Sequence, residues 1–172
     1  MILSSAEAQT TFPNGNYKIE YKNEVAGKDP YTIMLYKKDN MYKLTRSGKH
    51  GTFVTLIDFG NDKYYDITID KKTKGNKYSK INYPIIASMW HIYFKGIAND
   101  LKQYTKLADK QTVAGKECEV FDSGKLSVMN STMQYFFCGE LMLKMEKPAH
   151  VIEAVSIVED PVFEENEFDI PK

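Results

Sequence analysis

Several features that would point directly to a function are scarce in this chain of 172 residues. Neither sign of charge is in excess, because 23 basic and 23 acidic residues balance. Proteins dedicated to nucleic-acid binding usually carry a basic excess, so no nucleic-acid partner is expected. There is also no apolar run of about 18 residues, the length that a membrane-spanning helix needs.

Motifs of catalytic and cofactor sites are missing too. The sequence contains no Gly-x-Ser-x-Gly, no Gly-x-x-x-x-Gly-Lys-Ser/Thr and no Gly-x-Gly-x-x-Gly. His50, His91 and His150 are far apart, and none belongs to a His-x-x-x-His pattern. Asp58 and Asp66 fall among alternating apolar neighbours, so solvent-facing strand positions account for them. We therefore predict a protein that is not an enzyme and has no cofactor or metal site.

Cysteine is limited to Cys118 and Cys138. Two thiols in an exported protein can form a disulfide, and closing a loop of about 20 residues would stabilise the fold by roughly 3 kcal/mol. Two free, buried thiols, as in a cytosolic protein, are the alternative. Sequence does not decide between them, because it does not report the distance between the two Cα atoms.

The sequence is rich in strand-like alternation of apolar and polar residues. In "YKIEYKNEV" (17–25), tyrosine, isoleucine and valine alternate with lysine and glutamate, which is typical of a strand with one buried face. Similar segments, separated by turn-forming residues, follow at 31–38, 41–46, 52–59 and 63–70. These five segments predict an antiparallel meander. Six further strand-like segments lie at 104–109, 116–122, 125–129, 133–138, 141–147 and 150–160.

One segment departs from this alternation. The stretch "PIIASMWHIYF" (84–94) is apolar on almost every side, and Pro84 suits the first position of a helix. Large apolar residues continue at helical spacing to Leu101, beside a narrow polar stripe. We therefore predict a mainly β, α+β fold. Its strongly curved antiparallel sheet is a half-open barrel, and an apolar helix over 84–101 covers it.

This helix is the predicted binding element. If it covers the sheet incompletely, the gap is an apolar pocket suited to a hydrophobic ligand. If it packs flush against the sheet, the same residues are ordinary core. The candidate ligand-binding residues are Met89, Trp90, Tyr93, Phe94 and Ile97.

A lysine-rich segment, "KKTKGNKYSK" (71–80), precedes the apolar stretch. Its Gly75-Asn76 pair indicates a turn, so the segment is interpreted as a solvated hairpin tip. The alternative is peripheral contact with an anionic membrane surface. The lysines concerned are Lys71, Lys72, Lys74, Lys77 and Lys80.

The chain shows no linker, internal repeat or low-complexity segment, so we expect a single domain over 1–172. Ala6-Glu7-Ala8 forms a small-x-small pattern like a signal-peptidase site. Residues 1–12 are therefore expected to be a disordered remnant of a processed signal region.

Three C-terminal segments resemble the bacterial lipoprotein-sorting (LolA-like) superfamily. "TVAGKECEVFD" (112–122) is similar to a strand entry of that superfamily, and "GELMLKMEK" (139–147) is similar to a later strand. "VIEAVSIVEDPVFEENEFDIP" (151–171) resembles its closing strand and terminal Phe-x-x-Pro. Met142 stands where the family often has proline, and the first strand lacks the arginines typical of the lipoprotein carrier. The resemblance is therefore to exported, uncharacterised relatives of the carrier.

The resemblance implies an exported protein of the periplasm or outer envelope of a Gram-negative bacterium. The function it implies is to bind a lipid, an acyl chain or another hydrophobic ligand between curved sheet and helix, in lipid or lipoprotein transport. The alternative is an envelope interaction or scaffold module with a filled core and no small-molecule ligand.

Overall fold

The computed structural model describes residues 15–47, 51–58, 60–61, 63–70, 76–80, 104–124, 132–139 and 141–169. The strands of the first part of the chain are β1 (Tyr17–Val25), β2 (Tyr31–Lys38), β3 (Met41–Ser47), β4 (Gly51–Asp58), β5 (Lys63–Asp70) and β6 (Asn76–Lys80). Those of the second part are β7 (Thr105–Lys106), β8 (Gln111–Val113), β9 (Lys116–Asp122), β10 (Gln134–Cys138), β11 (Leu141–Lys147) and β12 (His150–Glu159).

These strands form one antiparallel sheet in the order β6-β5-β4-β3-β2-β1-β12-β11-β10-β9-β7, and β8 pairs with β9 off this path. The first six strands follow one another as a meander, so the meander predicted from residue alternation is confirmed. The two halves of the chain meet where β1 pairs with β12, between Tyr17–Glu159 and Val25–His150. Among the described strands, β6 and β7 end the order without pairing with each other, so the sheet is open.

The predicted α+β class, with a half-open barrel under an apolar helix, is wrong. The described residues contain strands and turns but no helix, and the segment 84–101 lies outside them. An apolar run indicates burial, but periodicity alone does not separate a buried helix from a buried strand. The prediction also assumed that a curved sheet needs a helix to cover its inner face. In this sheet, residues from the inner faces of both halves pack against each other in one core.

The main core lies on the inner face of the sheet and joins its two halves. Tyr21 of β1 donates a hydrogen bond of 3.0 Å to the carbonyl oxygen of Met142 in β11, although β12 lies between these strands. The sheet therefore curves far enough for β1–β4 to pack against β8–β11. The buried residues of this core are Ile19, Tyr21, Ile33, Leu35, Tyr42, Leu44, Ile57, Val113, Cys118, Val120, Phe136, Leu141, Leu143 and Ala154.

Strand β10 is buried on both of its faces. Consecutive residues Tyr135, Phe136 and Phe137 are all buried, although only one of every two side chains of a strand points to a given face. Phe136 belongs to the main core, while Tyr135 stacks on Tyr104 with ring centroids 5.6 Å apart. The second cluster comprises Met133, Tyr135, Phe137, Met142 and Met145.

The apolar face changes sides towards the β4–β5 end of the sheet. Leu44 of β3 faces the main core, and its partner Thr55 of β4 lies on the same face. Thr55 donates a 2.7 Å hydrogen bond to Asp66 of β5, so this inner face is polar at β5. Val54 and Ile67 point the other way and are buried on the outer face. A second apolar surface therefore exists on the outside of the sheet.

A disulfide joins Cys118 in β9 to Cys138 at the end of β10, with the two Cα atoms 4.2 Å apart. The two cysteines are separated by 20 positions in the chain. The disulfide thus closes the segment that connects two adjacent strands of the core.

Candidate functional site

The segment that follows β12, residues 161–169, crosses the outer face of β2 and β3 and is called the strap. The ring of Phe163 lies 6.5 Å from that of Tyr36, and Phe168 contacts Phe163 edge to face at 5.3 Å. Lys43 donates hydrogen bonds to the side chain of Glu167 at 2.6 Å and to its carbonyl oxygen at 2.8 Å. Aromatic packing and an ion pair therefore hold the strap on the sheet.

The ion pair beneath the strap is partly shielded from water. The side chains of Lys43 and Glu167 are 20% and 19% exposed, so their attraction is screened less than that of a pair on the open surface. The Lys43 ammonium also lies 5.4 Å from the centre of the Tyr36 ring. Burial, and secondly the negative charge of Glu167, raise the pKa of Tyr36 above its ordinary value. Tyr36 thus remains a neutral phenol under the strap.

Cross-strand pairing aligns Tyr36, Lys43, Leu56 and Tyr65 in one row across the outer face of β2 to β5. The strap covers the β2–β3 end of this row. A pocket of about 360 Å³ opens beside the end of the strap, over the β4–β5 end of the row. The described residues that line this strap pocket are Met41, Tyr42, Leu56, Ile57, Asp58, Tyr65, Phe168 and Asp169.

The lining combines an apolar floor with three aromatic residues and two carboxylates. The Oδ1 atom of Asp58 accepts hydrogen bonds from the backbone N–H groups of Gly60 and Asn61, and its Oδ2 accepts one of 2.7 Å from the Asn61 amide. These bonds fix Asp58 at the β4–β5 turn. Asp169 is exposed at the rim. Among the described lining residues, none carries a positive charge.

A second concavity of about 330 Å³ lies where the β1–β2 turn meets the β11–β12 turn. His150 borders it, and its Nε2 lies 2.8 Å from Oδ1 of Asn23, a residue that is almost completely buried. Burial, and secondly the charge of Lys147, lower the pKa of His150. Glu24 also borders this concavity but pairs with Lys22 at 2.6 Å. The histidine is thus held by a neutral amide, an arrangement that supports folding rather than proton transfer.

The residues predicted to bind a ligand or a membrane lie outside the described residues or are described only in their backbone. Met89, Trp90, Tyr93, Phe94 and Ile97 lie outside the described residues, and so do His50 and His91. Lys71, Lys72 and Lys74 also lie outside them, whereas the backbone of Lys77 and Lys80 belongs to β6. Hydrophobic-ligand binding and membrane contact through these residues stay predictions. In the described part of the chain, no helix is long and apolar enough to span a membrane.

Asp58 was interpreted from the sequence as an ordinary solvent-facing residue, yet it lines the strap pocket. From the sequence, Phe168 and Asp169 were noted only as part of the terminal Phe-x-x-Pro of the family resemblance, without a role in a site. The available signal was the spacing of Phe163 and Phe168 among acidic residues, which is unusual for a solvated tail and indicates that its rings have a surface to contact.

The described residues contain no group of three histidine, cysteine, aspartate or glutamate side chains that could hold a metal ion.

Comparisons with known proteins establish the fold but no family. No family model matches the chain, and no curated protein matches it, so the resemblance to the lipoprotein-sorting superfamily stays a prediction. One similar solved structure is described as "Structure of PNGF-II in C2 space group". It shares 14% identity over 90% of this chain, with a TM-score of 0.54. This chain corresponds to 29% of the length of that chain, so the likeness concerns the fold of one part of a larger protein.

Proposed function

We propose that this chain is an exported, non-catalytic interaction module that docks a protein partner at the strap pocket. This is the alternative function predicted from the sequence, a module with a filled core. The observation that carries the proposal is the concave strap pocket, which lies on the outer face of the sheet. Its floor is formed by Met41 and Leu56, and two residues of the main core, Tyr42 and Ile57, also border it.

The packing of the main core supports a module rather than a carrier. Residues of nine strands meet in this core, and Ile19, Leu35, Tyr42 and Leu143 are at most 2% exposed. Close packing of this kind leaves little room for a cargo molecule. A carrier with a helix-covered half-barrel is therefore not proposed.

Export is supported by the disulfide between Cys118 and Cys138. Disulfides persist in oxidising compartments and are rare in proteins of the cytosol, where thiols are kept reduced. The specific compartment, periplasm or outer envelope, stays a prediction from the family resemblance.

Site-specific photo-cross-linking tests the proposal. Phe168 in the strap pocket is replaced with benzoylphenylalanine in cells that produce the protein. The matched control carries the same replacement at Phe53, which is also partly exposed but lies on the inner face of β4. We expect one discrete cross-linked species from position 168 and none of the same mass from position 53. No product from position 168, or identical products from both positions, would contradict docking at the strap pocket.

A further inference from the structure

We infer that the second half of β12, residues 155–159, binds an extended, uncharged segment of a partner protein, which adds to the sheet as a further strand. This inference goes beyond docking at the strap pocket and does not depend on it. Three observations carry it: an incomplete strand pairing, the exposed valines beside it and the absence of charge along the edge.

Strand β12 is paired along its length on one side only. Its pairing with β1 continues to Glu159, whereas its pairing with β11 ends at Glu153. Among the described strands, no other strand pairs with the remaining edge. Residues 155–159 therefore present backbone N–H and C=O groups that a further strand can bind.

Two β-bulges account for the separation of β11 from β12. Val155 is the extra residue of β12 in its pairing with β1, and Leu143 is the extra residue of β11 in its pairing with β10. Both lie within two residues of the last β11–β12 pair, and a bulge bends its strand and increases the local twist. The carbonyl oxygen of Met142, beyond the bulge in β11, accepts the hydrogen bond of Tyr21. Strand β11 is thus held against the core, while the edge of β12 stays open.

Exposed apolar side chains are concentrated along this edge. Four large hydrophobic residues are exposed in the described part of the chain, and three of them lie in the edge or just after it. They are Val155, Val158 and Val162, which are 52%, 48% and 101% exposed. Single exposed apolar residues are ordinary, whereas a group of them on one short segment indicates a contact surface.

The edge lacks the residues that usually protect a free strand. Native proteins place charged residues or proline on such edges to prevent unwanted pairing. Residues 154–158, Ala-Val-Ser-Ile-Val, contain neither. Glu159 at the end of the strand is already paired with Lys116. The composition of the edge therefore suits a strand that is covered by another strand.

The charges beside the edge favour an uncharged occupant. On the neighbouring strand β1, Lys18 pairs with Val158 and Glu20 pairs with Ser156, so one charge of each sign flanks the edge. Neither sign is in excess, and a charged segment would gain no complementary partner. An uncharged segment with an apolar side chain against Val158 matches both the charge and the exposed surface.

The length of the edge favours a peptide segment over a second copy of this chain. Five residues of strand span about 17 Å, whereas a stable interface between two folded proteins takes roughly 20–30 residues on each side. An extended segment instead binds through main-chain hydrogen bonds, and its alternate side chains provide specificity.

Hydrogen exchange of the free protein tests whether the edge is open. Successive N–H groups of a strand point to opposite edges, so every second amide of residues 155–159 should face away from β1 and exchange rapidly. The other amides, which are bonded to β1, should be protected. Protection of all five amides in the free protein would overturn the inference.

A model strand tests binding at the same amides. The probe is acetyl-Thr-Val-Thr-Val-Thr-amide, and the control is this peptide N-methylated at its three central residues, which removes N–H donors from both of its edges. At a probe concentration about nine times its Kd, the open amides of residues 155–159 should exchange roughly tenfold more slowly. The control peptide should leave them unchanged. No slowing with the probe, or equal slowing with the control, would sink the inference.

A pair of matched variants assigns the binding to the edge. Val158→Glu puts a charge on the edge at an exposed position opposite Lys18, so the fold should be kept. Val162→Glu makes the same change in the strap, outside β12. We expect Val158→Glu to weaken the probe roughly fivefold, through the loss of an apolar contact, and Val162→Glu to leave its affinity nearly unchanged. Equal effects of the two variants would argue against binding at the edge and overturn the inference.

Sedimentation of the full chain identifies the type of occupant. We expect a monomer at micromolar concentration. A dimer that Val158→Glu dissociates would place a second copy on the edge and overturn the inference of a partner segment. Because Val158 does not line the strap pocket, these results and the cross-linking result at position 168 stand or fail separately.

Discussion

The hydroxyl group of Tyr21 donates a hydrogen bond to the carbonyl oxygen of Met142, 121 positions later in the chain. The bond crosses the interior and lies beside the irregularity in the β10–β11 pairing, where Phe137 pairs with Met142 and Phe136 with Lys144. Burial raises the pKa of Tyr21 well above its ordinary value, so the hydroxyl keeps its proton. The bond ties the two halves of the curved sheet together at the centre of the core.

Replacing Tyr21 with phenylalanine should therefore destabilise the protein. The Tyr21→Phe variant keeps the ring but leaves a buried carbonyl oxygen without this donor, which costs about 1–2 kcal/mol. Urea unfolding measures the change in the free energy of unfolding. Tyr31→Phe is the control, because the Tyr31 hydroxyl makes no hydrogen bond to a described residue and its removal should change stability little. Equal effects of the two variants would show that the Tyr21 hydrogen bond does not link the halves.

The disulfide between Cys118 and Cys138 should stabilise the protein by restricting the unfolded chain. With 20 positions between the cysteines, the chain-entropy relation predicts about 3 kcal/mol. Urea unfolding with and without a reducing agent measures this contribution. The reductant should not change the stability of the Cys118→Ala/Cys138→Ala variant, and a shift there would mean that it acts on something other than the disulfide.

His150 should make the protein less stable as the pH falls from about 7.5 to 5.5. Burial and Lys147 lower the pKa of His150 in the folded state, whereas an unfolded histidine has a pKa of about 6.5. The unfolded chain therefore binds more protons below this pH, and protonation favours unfolding. The stability that neutral His150 contributes is fully present above the pKa of the unfolded state. It is lost as the pH falls through the lower pKa of the folded state.

The His150→Gln variant isolates this effect, because glutamine can still hydrogen-bond to Asn23 but does not titrate. Thermal unfolding over the same pH range should show a smaller loss of stability for the variant than for the unmodified protein. Parallel pH dependences in the two proteins would contradict the lowered pKa of His150.

The strap should control the acidity of Tyr36. Burial first, and then the charge of Glu167, raise the pKa of Tyr36. In Glu167→Gln the neighbouring negative charge is lost, so the pKa of Tyr36 should fall towards its ordinary value. Nuclear magnetic resonance of tyrosine labelled with carbon-13 at Cζ follows this titration. Glu164→Gln, at an exposed residue of the same strap, should leave it unchanged, and an unchanged pKa in both variants would argue against contact between strap and sheet.

Residue alternation was sufficient to predict much of the sheet. The strands Tyr17–Val25, Tyr31–Lys38, Lys63–Asp70, Lys116–Asp122 and Leu141–Lys147 have the predicted bounds. Local alternation identifies a strand because half-burial is a property of the strand itself. The meander order was also predictable, because short turns join antiparallel neighbours.

The rest depended on contacts between distant parts of the chain. The burial of both faces at Tyr135 and Phe136, and the reversal of the apolar face at Val54, follow from how the sheet curves. The site was missed for the same reason. Phe168 and Asp58 are 110 positions apart, and only the path of the strap brings them into one pocket. The α+β class was wrong because an apolar run predicts burial without fixing the secondary structure, and the segment 84–101 itself lies outside the described residues.

The central claim is that binding occurs at the strap pocket over a filled core. The most direct test is methyl resonance spectroscopy of protein labelled with carbon-13 in its methionines, because Met41 lines the strap pocket while Met142 and Met145 are buried in the second cluster. The fatty acid laurate, the type of ligand that a carrier would hold, is added to the labelled protein. We predict that laurate leaves the Met142 and Met145 signals unchanged. A shift of Met142 and Met145 with laurate, while Met41 is unchanged, would contradict the account.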